Sequence, residues 1–482
     1  MTVKRIISAI MTGILLLSTV GILSACGGGK GGSDANTLKI KYFTGGFGDA
    51  WLKSAAEKFE KANNGVTVKL ESDTSLRTNA AVYLQGGRDL PDIMMSQNLG
   101  WSEFVQNGQI ESLEEVFEAE AKPGVKIKDF IVDEFAGYPY MKRSYNSTGE
   151  RPWVVPWSVL TCGIVYNEEI LLKTKRASTG GNWEAPPATV AELVEYTEDL
   201  NKAKVIPFAW GGSGINWLTF PQSVWWAQAQ GVEGDNNWFD FWDFNSADVY
   251  KQEGIAKSLD VVKQLLVDDK GQWKNSLDKP DGKSSTDAET SFVKGDTAMI
   301  FCGSWLENEM KDFTPKGFKM KMMPTPLIDG AQVNPETGKP YTINNANAGD
   351  VMFIPKEAPN KELAIKFLQF ITTEEMMLEF TKLTGMMRPY EYDPIALDPD
   401  YAWTDFQKST FNLYTQSDVN LFEFSRNKSD IYLFKRPELF QEVTVNTALN
   451  DLKKKSGAEI MDDVYKKVAV EFPKWKSELG LD

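Results

Sequence analysis

No histidine occurs anywhere in the 482 residues. That absence removes the usual proton carrier at neutral pH, the Ser-His-Asp arrangement and every histidine-containing metal site. Cysteine is scarce as well, at three residues: Cys26, Cys162 and Cys302. Positive charge is in deficit, with 52 Lys and Arg against 67 Asp and Glu, a net charge of −15. Such a surface does not neutralise phosphates, which argues against nucleic acid as a partner. It suits a soluble surface facing the medium. After the first thirty residues no apolar run approaches the roughly 20 residues that a membrane span needs.

The N-terminus has what the rest lacks. Lys4 and Arg5 precede an apolar run from Ile6 to Ile22, then Leu23-Ser24-Ala25-Cys26. A basic start, a short apolar stretch and small residues at the cut form a secretory signal. The Leu-Ser-Ala-Cys tetrad resembles the bacterial lipobox. That resemblance implies that residues 1–25 are removed and that Cys26 is acylated. The lipid would hold the chain on the extracytoplasmic face of a cell membrane. Where no outer membrane confines a secreted receptor such an anchor is needed, so a Gram-positive host is expected. A retained transmembrane helix is the alternative reading. Residues 26–36 are rich in glycine and read as a flexible tether.

Roughly 445 residues remain, too many for one core and typical of two domains. Leu38, Ile40 and Tyr42 alternate as a strand. Asp49 is placed to cap a helix whose apolar face is Trp51, Leu52, Ala55, Ala56 and Phe59. Val66, Val68 and Leu70 form a second strand, Leu76–Leu84 a second helix, and Ile93-Met94-Met95 a third strand. This alternation specifies an α/β domain with a mostly parallel sheet. Ligands of such sheets sit beyond the carboxyl ends of the strands. Thr44–Gly48 and Ser96-Gln97-Asn98 lie there, so Phe47, Gln97 and Asn98 are candidates by position. Further on, helices are expected at Val190–Lys202, Gly254–Val267 and Lys361–Ile371. Strands are expected at Ala298–Phe301 and Val351–Ile354. Cys162 and Cys302 lie in apolar strand-like runs; an oxidising compartment permits a disulfide, and two buried thiols are the plainer reading.

Six segments line up with one family: Ala55–Val68, Leu90–Met94, Val155–Ile170, Pro187–Leu193, Phe292–Trp305 and Val351–Phe370. In that order they resemble the extracellular solute-binding proteins of ATP-driven importers, in the carbohydrate-binding group that includes maltose-binding protein. The resemblance implies a two-lobed α/β fold of the type II periplasmic-binding-protein kind, with a hinge of crossing strands and the ligand between lobes. It assigns residues 37–158 plus 322–372 to a first lobe and 159–321 plus 373–482 to a second. Hinge crossings then fall near Pro156–Gly163 and Met323–Pro326. One departure stands out. Leu327–Ala348 is inserted ahead of the Val351 strand, and Gly349 lacks the second glycine usual there.

A sugar has an apolar C–H face that stacks on an aromatic ring and a rim of hydroxyls that wants polar side chains. By position in the family pattern, Trp305 after Gly303-Ser304, Trp157 after Pro156, and Trp217 with Asn216 are the expected platforms and companion. Asp350 beside Gly349 and Arg388 after Met387 are the expected charged contacts, and Trp403 is an outlying candidate. Nine tryptophans between Trp153 and Trp242 favour a sugar over other solutes. The resemblance implies a binding module without a cofactor or metal, partnered by carbohydrate, importer permease subunits and, through the anchor, the membrane. A monomer is expected. A surface glycoside hydrolase, with two carboxylates facing each other across the cleft, and a receptor for a non-sugar solute are the alternatives.

Overall fold

The computed structural model describes residues 35–86, 89–97, 99–132, 142–143, 151–213, 217–243, 245–347, 350–422 and 436–478. Residues 1–25, most of the tether, Asn98 and Asn216 lie outside them.

The first lobe is built on β1 (Thr37–Tyr42), β2 (Thr67–Ser72), β3 (Ile93–Gln97), β4 (Val155–Pro156) and β10 (Asp350–Phe353), in the order β2-β1-β3-β10-β4. β1 runs parallel to both neighbours, while β10 is antiparallel to β3 and β4. Helix α1 (Ala50–Ala62) buries Trp51, Leu52, Ala55, Ala56 and Phe59, the stripe its spacing encodes. Asp49 stands at its N-cap without a capping bond. Its carboxylate instead accepts from the Tyr42 hydroxyl at 2.6 Å. Helix α2 (Leu76–Leu84) completes the strand-helix alternation.

The second lobe holds β5 (Leu160–Asn167), β6 (Ile206–Ala209), β7 (Thr297–Gly303), β9 (Ile343–Asn347) and β11 (Val419–Leu421), in the order β6-β7-β5-β9-β11, with β8 (Met320–Met323) also on β5. Around it lie α3 (Val190–Lys202), α4 (Thr219–Gln230), α5 (Glu253–Leu266) and α6 (Ser285–Val293). Of the dense tryptophans, Trp210, Trp225, Trp226, Trp238 and Trp242 are buried in this lobe's core. The wealth of indole therefore supports packing first.

Strand pairing fixes where the chain changes lobes. The first crossing joins β4 to β5 through 157–159. The second falls between β9 and β10, and not at Met323–Pro326. Met322 and Met323 pair with Val165 and Ile164 in the second sheet, so the inserted segment belongs to that lobe. The return to the second lobe also comes later than residue 373. After α8 (Lys361–Ile371), helix α9 (Glu374–Thr384) packs on α1, with Phe380 5.0 Å from Trp51 and Ser54 bonded to Glu379 at 2.7 Å. The next long helix, α10 (Asp405–Gln416), lies against β8 and β5.

Cys162 and Cys302 are both buried, and neither is in a disulfide. Cys162 opposes Gly303 and Cys302 opposes Gly163, one register step apart. Side chains one step apart leave a sheet on opposite faces, so a disulfide would require β5 and β7 to separate.

Candidate functional site

Lobe one brings the turn Gly45–Phe47, which follows β1, to the seam between the lobes. Gly45 has φ +55° and Gly48 φ +69°, a conformation that favours glycine. A Cβ at Gly45 would stand 2.7 Å from Gln97 Oε1, so Gln97 is pressed against this turn. Lobe two answers with the turn after β7 and the short α7 (Leu306–Glu309). Asn308 Nδ2 donates across the seam to the carbonyls of Phe47 at 2.7 Å and Gly46 at 3.3 Å. The Glu309 carboxylate lies so close to Gly46 that a Cβ there would meet it at 2.7 Å. The lobes are in contact here.

Beside this contact is an aromatic cluster. The Trp305 ring lies edge-on to Trp217 at 5.2 Å and to Phe220 at 6.0 Å. It is seated by Gly303, where a Cβ would fall 2.0 Å from the indole. Gly303→Ala is expected to displace the ring and cost about 1–3 kcal/mol. A urea melt should show the lower midpoint, and an unchanged midpoint would disprove the seating.

Below the indole are two carboxyls. Glu289 projects from α6 and is 1% exposed. Burial, then the charge of Glu309, push it up to about 8; the Trp305 indole and the Cys302 thiol hydrogen bond to it and oppose the rise. Burial also raises Glu309. A protonated Glu289 donates to Glu309, so one proton serves the pair. Neither makes an ion pair with lysine or arginine among the described residues. Glu307, likewise raised by burial, accepts from Thr404 at 3.0 Å.

Phe47, Gln97, Trp305 and Trp217 thus meet at the seam. Three expected residues do not. Trp157 is wholly buried behind Phe47, 5.1 Å away, and stacks on Trp51 at 5.8 Å. Asp350 accepts from Ser158 at 2.6 Å, and burial raises it to about 7. Arg388 is 0% exposed and donates to the carbonyls of Ile371 and Pro156, while Val159 N bonds Met387 O at 2.9 Å. Ile371 ends α8, where the helix dipole favours a cation. Arg388 and Asp350 therefore serve the hinge. Trp403 is buried against Tyr401 and Phe411.

Four residues escape the sequence reading. Asn308 and Glu309 stand three and four places after Trp305, one helical turn on, and that spacing was a usable signal. Glu289 is an acid on the apolar face of α6, beside Ala288 and Phe292. Asn345 on β9 has no local signature.

The model of the bacterial extracellular solute-binding proteins matches residues 44–378. The chain belongs to that family. Among curated proteins it is 23% identical over 363 residues to the diacetylchitobiose binding protein NgcE of Streptomyces coelicolor, covering 73% of this chain and 69% of that one. Among solved structures it resembles the GacH receptor of Streptomyces glaucescens, seen unliganded and with acarbose, at TM-score 0.62, 16% identity and coverage of 90% and 98%. A chitin oligosaccharide binding protein aligns at TM-score 0.59, 14% identity and coverage of 91% and 99%. These likenesses establish the two-lobed receptor fold.

Proposed function

We propose that this protein captures a carbohydrate, an oligosaccharide, between its lobes and delivers it to the membrane subunits of an ATP-driven importer. The observation that carries the reading is the seam itself. Trp305, Trp217 and Phe220 offer apolar faces beside the polar Asn308, Gln97 and carboxyl pair, the combination a sugar requires. The sugar ligands named for its relatives point the same way. Ligand bridging the lobes would favour the closed state in proportion to its preference for it. The carboxyls do not favour hydrolysis. Glu289 and Glu309 share a hydrogen bond, whereas a glycosidase holds its pair roughly 5–9 Å apart across the substrate. Binding without turnover is therefore the reading, with a monomeric receptor as the working unit.

The test is a panel of oligosaccharides, peptides and polyamines, followed by melting temperature and tryptophan fluorescence. A rise with oligosaccharides is expected. A response to peptides or polyamines alone would sink the assignment. Anchoring through Cys26 is part of the same proposal. A Cys26→Ala variant should leave the membrane for the culture medium with sugar binding unchanged. Its retention in the membrane would restore the uncleaved-helix alternative.

A further inference from the structure

Strand β9 carries two adjacent asparagines with opposite fates. Asn344 points to one face of the sheet and donates to Asn420 Oδ1 at 2.9 Å. Asn345 points to the other, is 1% exposed, and neither its Nδ2 nor its Oδ1 has a hydrogen-bond partner among the described residues. A buried carboxamide with nothing to bond is costly, because it has given up water for no return. Among the described residues the fold gives this asparagine no partner, and an apolar residue of the same size would cost less there.

Register shows what lies next to it. Asn345 opposes Cys162, and Cys162 opposes Gly303. Directly opposed residues share a face, so Gly303, Cys162 and Asn345 form one row across three strands. At about 4.8 Å per strand the row spans about 10 Å. Its first member is the glycine on which the Trp305 indole rests. Leu421 continues the row on β11. The floor therefore reads indole, thiol, carboxamide, leucine, with no charge along it, and α4 packs over the same strands.

From this we infer that Asn345 recognises the acetamido group of an N-acetylated sugar lying beside Trp305. The inference rests on the carbohydrate reading and specifies it. A carboxamide offers a donor and an acceptor side by side in one plane. Its complement is a secondary amide. The ligand carbonyl accepts from Asn345 Nδ2, the ligand N–H donates to Oδ1, and the acetyl methyl lies on the apolar neighbours Cys162 and Leu421. A lone hydroxyl is a single atom and does not meet both partners with good geometry. A site built to pair a polar group rejects the analogue that lacks it, since its own groups are then left unpaired.

The experiment compares N,N′-diacetylchitobiose with cellobiose, which differ at the acetamido positions, by calorimetry on the mature protein and on Asn345→Leu. The parent should bind the acetylated sugar about 100-fold tighter. Asn345→Leu should reduce that preference to about 5-fold or less by weakening the acetylated sugar, and should raise the melting temperature by about 2 °C or more. The rise separates a residue kept for ligand from one kept for structure. A lower melting temperature with both sugars weakened alike would overturn the inference. Equal parent affinity for the two sugars, or binding only of sugars without acetamido groups, would overturn it while leaving the carbohydrate reading intact. No response to any sugar would end both. Asn345→Asp, which keeps the shape but loses the donor, should also lose the acetylated sugar; unchanged affinity there would count against the pairing.

Discussion

Replacing Trp305 by alanine should abolish measurable ligand binding at micromolar sugar while leaving a folded protein. The indole is 8% exposed, rests on Gly303 and braces Trp217 and Phe220. Truncating a buried tryptophan costs about 3–5 kcal/mol, a large share of the 5–15 kcal/mol typical of a domain. The melt should therefore shift but remain cooperative. Binding suffers twice. The apolar face proposed to stack on the sugar is gone, and the Trp217 loop loses its support. Aromatic anchors at the centre of a site commonly contribute 2 kcal/mol or more, which is at least a 30-fold loss. Trp305→Phe keeps a ring and should recover part of the affinity. Calorimetry of the three proteins with one sugar decides it. An alanine variant within about threefold of the parent would remove Trp305 from the site.

The second large effect is of pH on the ligand-free protein. Glu289 is held up to about 8 and Asp350 to about 7, both by burial. An unfolded carboxylate titrates near 4. Both groups hold their protons more tightly when folded. Their stabilising share is full below the unfolded value and is lost as pH rises through about 7 and then about 8. While one such group is protonated only in the folded chain, stability falls by about 1.4 kcal/mol per pH unit. The groups facing Glu289 are Glu309, Cys302 and the Trp305 indole, and none supplies positive charge. The melting temperature should thus decline between about pH 5 and pH 9. Glu289→Gln should flatten the upper part of that decline, and Asp350→Asn the lower part. A melting temperature that rises over this range would show that neither acid is buried as described.

What was legible in the sequence follows from the range of each interaction. Alternation in β1 and the stripe of α1 are local, and both are visible in single segments. The crossing between β9 and β10 is not. It depends on Met320–Met323 pairing with a strand more than a hundred positions earlier, and no local pattern encodes that choice. The inserted segment was visible as a departure, but its lobe was not. Tryptophan density pointed to a sugar site for the wrong reason, since most of those rings fill the second core. Arg388 was read as a cleft charge because it follows Gly385-Met386-Met387, a segment placed near the cleft by the family resemblance. Its partners are backbone carbonyls, which carry no sequence signature. Trp305 was singled out by the place of its Gly-Ser-Trp turn in the family pattern, and the glycine of that turn is the one that seats its ring.

The bond from Asn308 to the opposite turn joins the two lobes through protein atoms alone. A receptor that shuts while empty would present the importer with a false signal, and fuel would be spent for nothing. The latch must therefore be weak. A side-chain amide on two carbonyls is worth about 1 kcal/mol each, enough to shorten the lifetime of a loaded receptor's opening and too little to hold an empty one closed. Fidelity at the membrane would then depend on a side chain that need never touch the ligand.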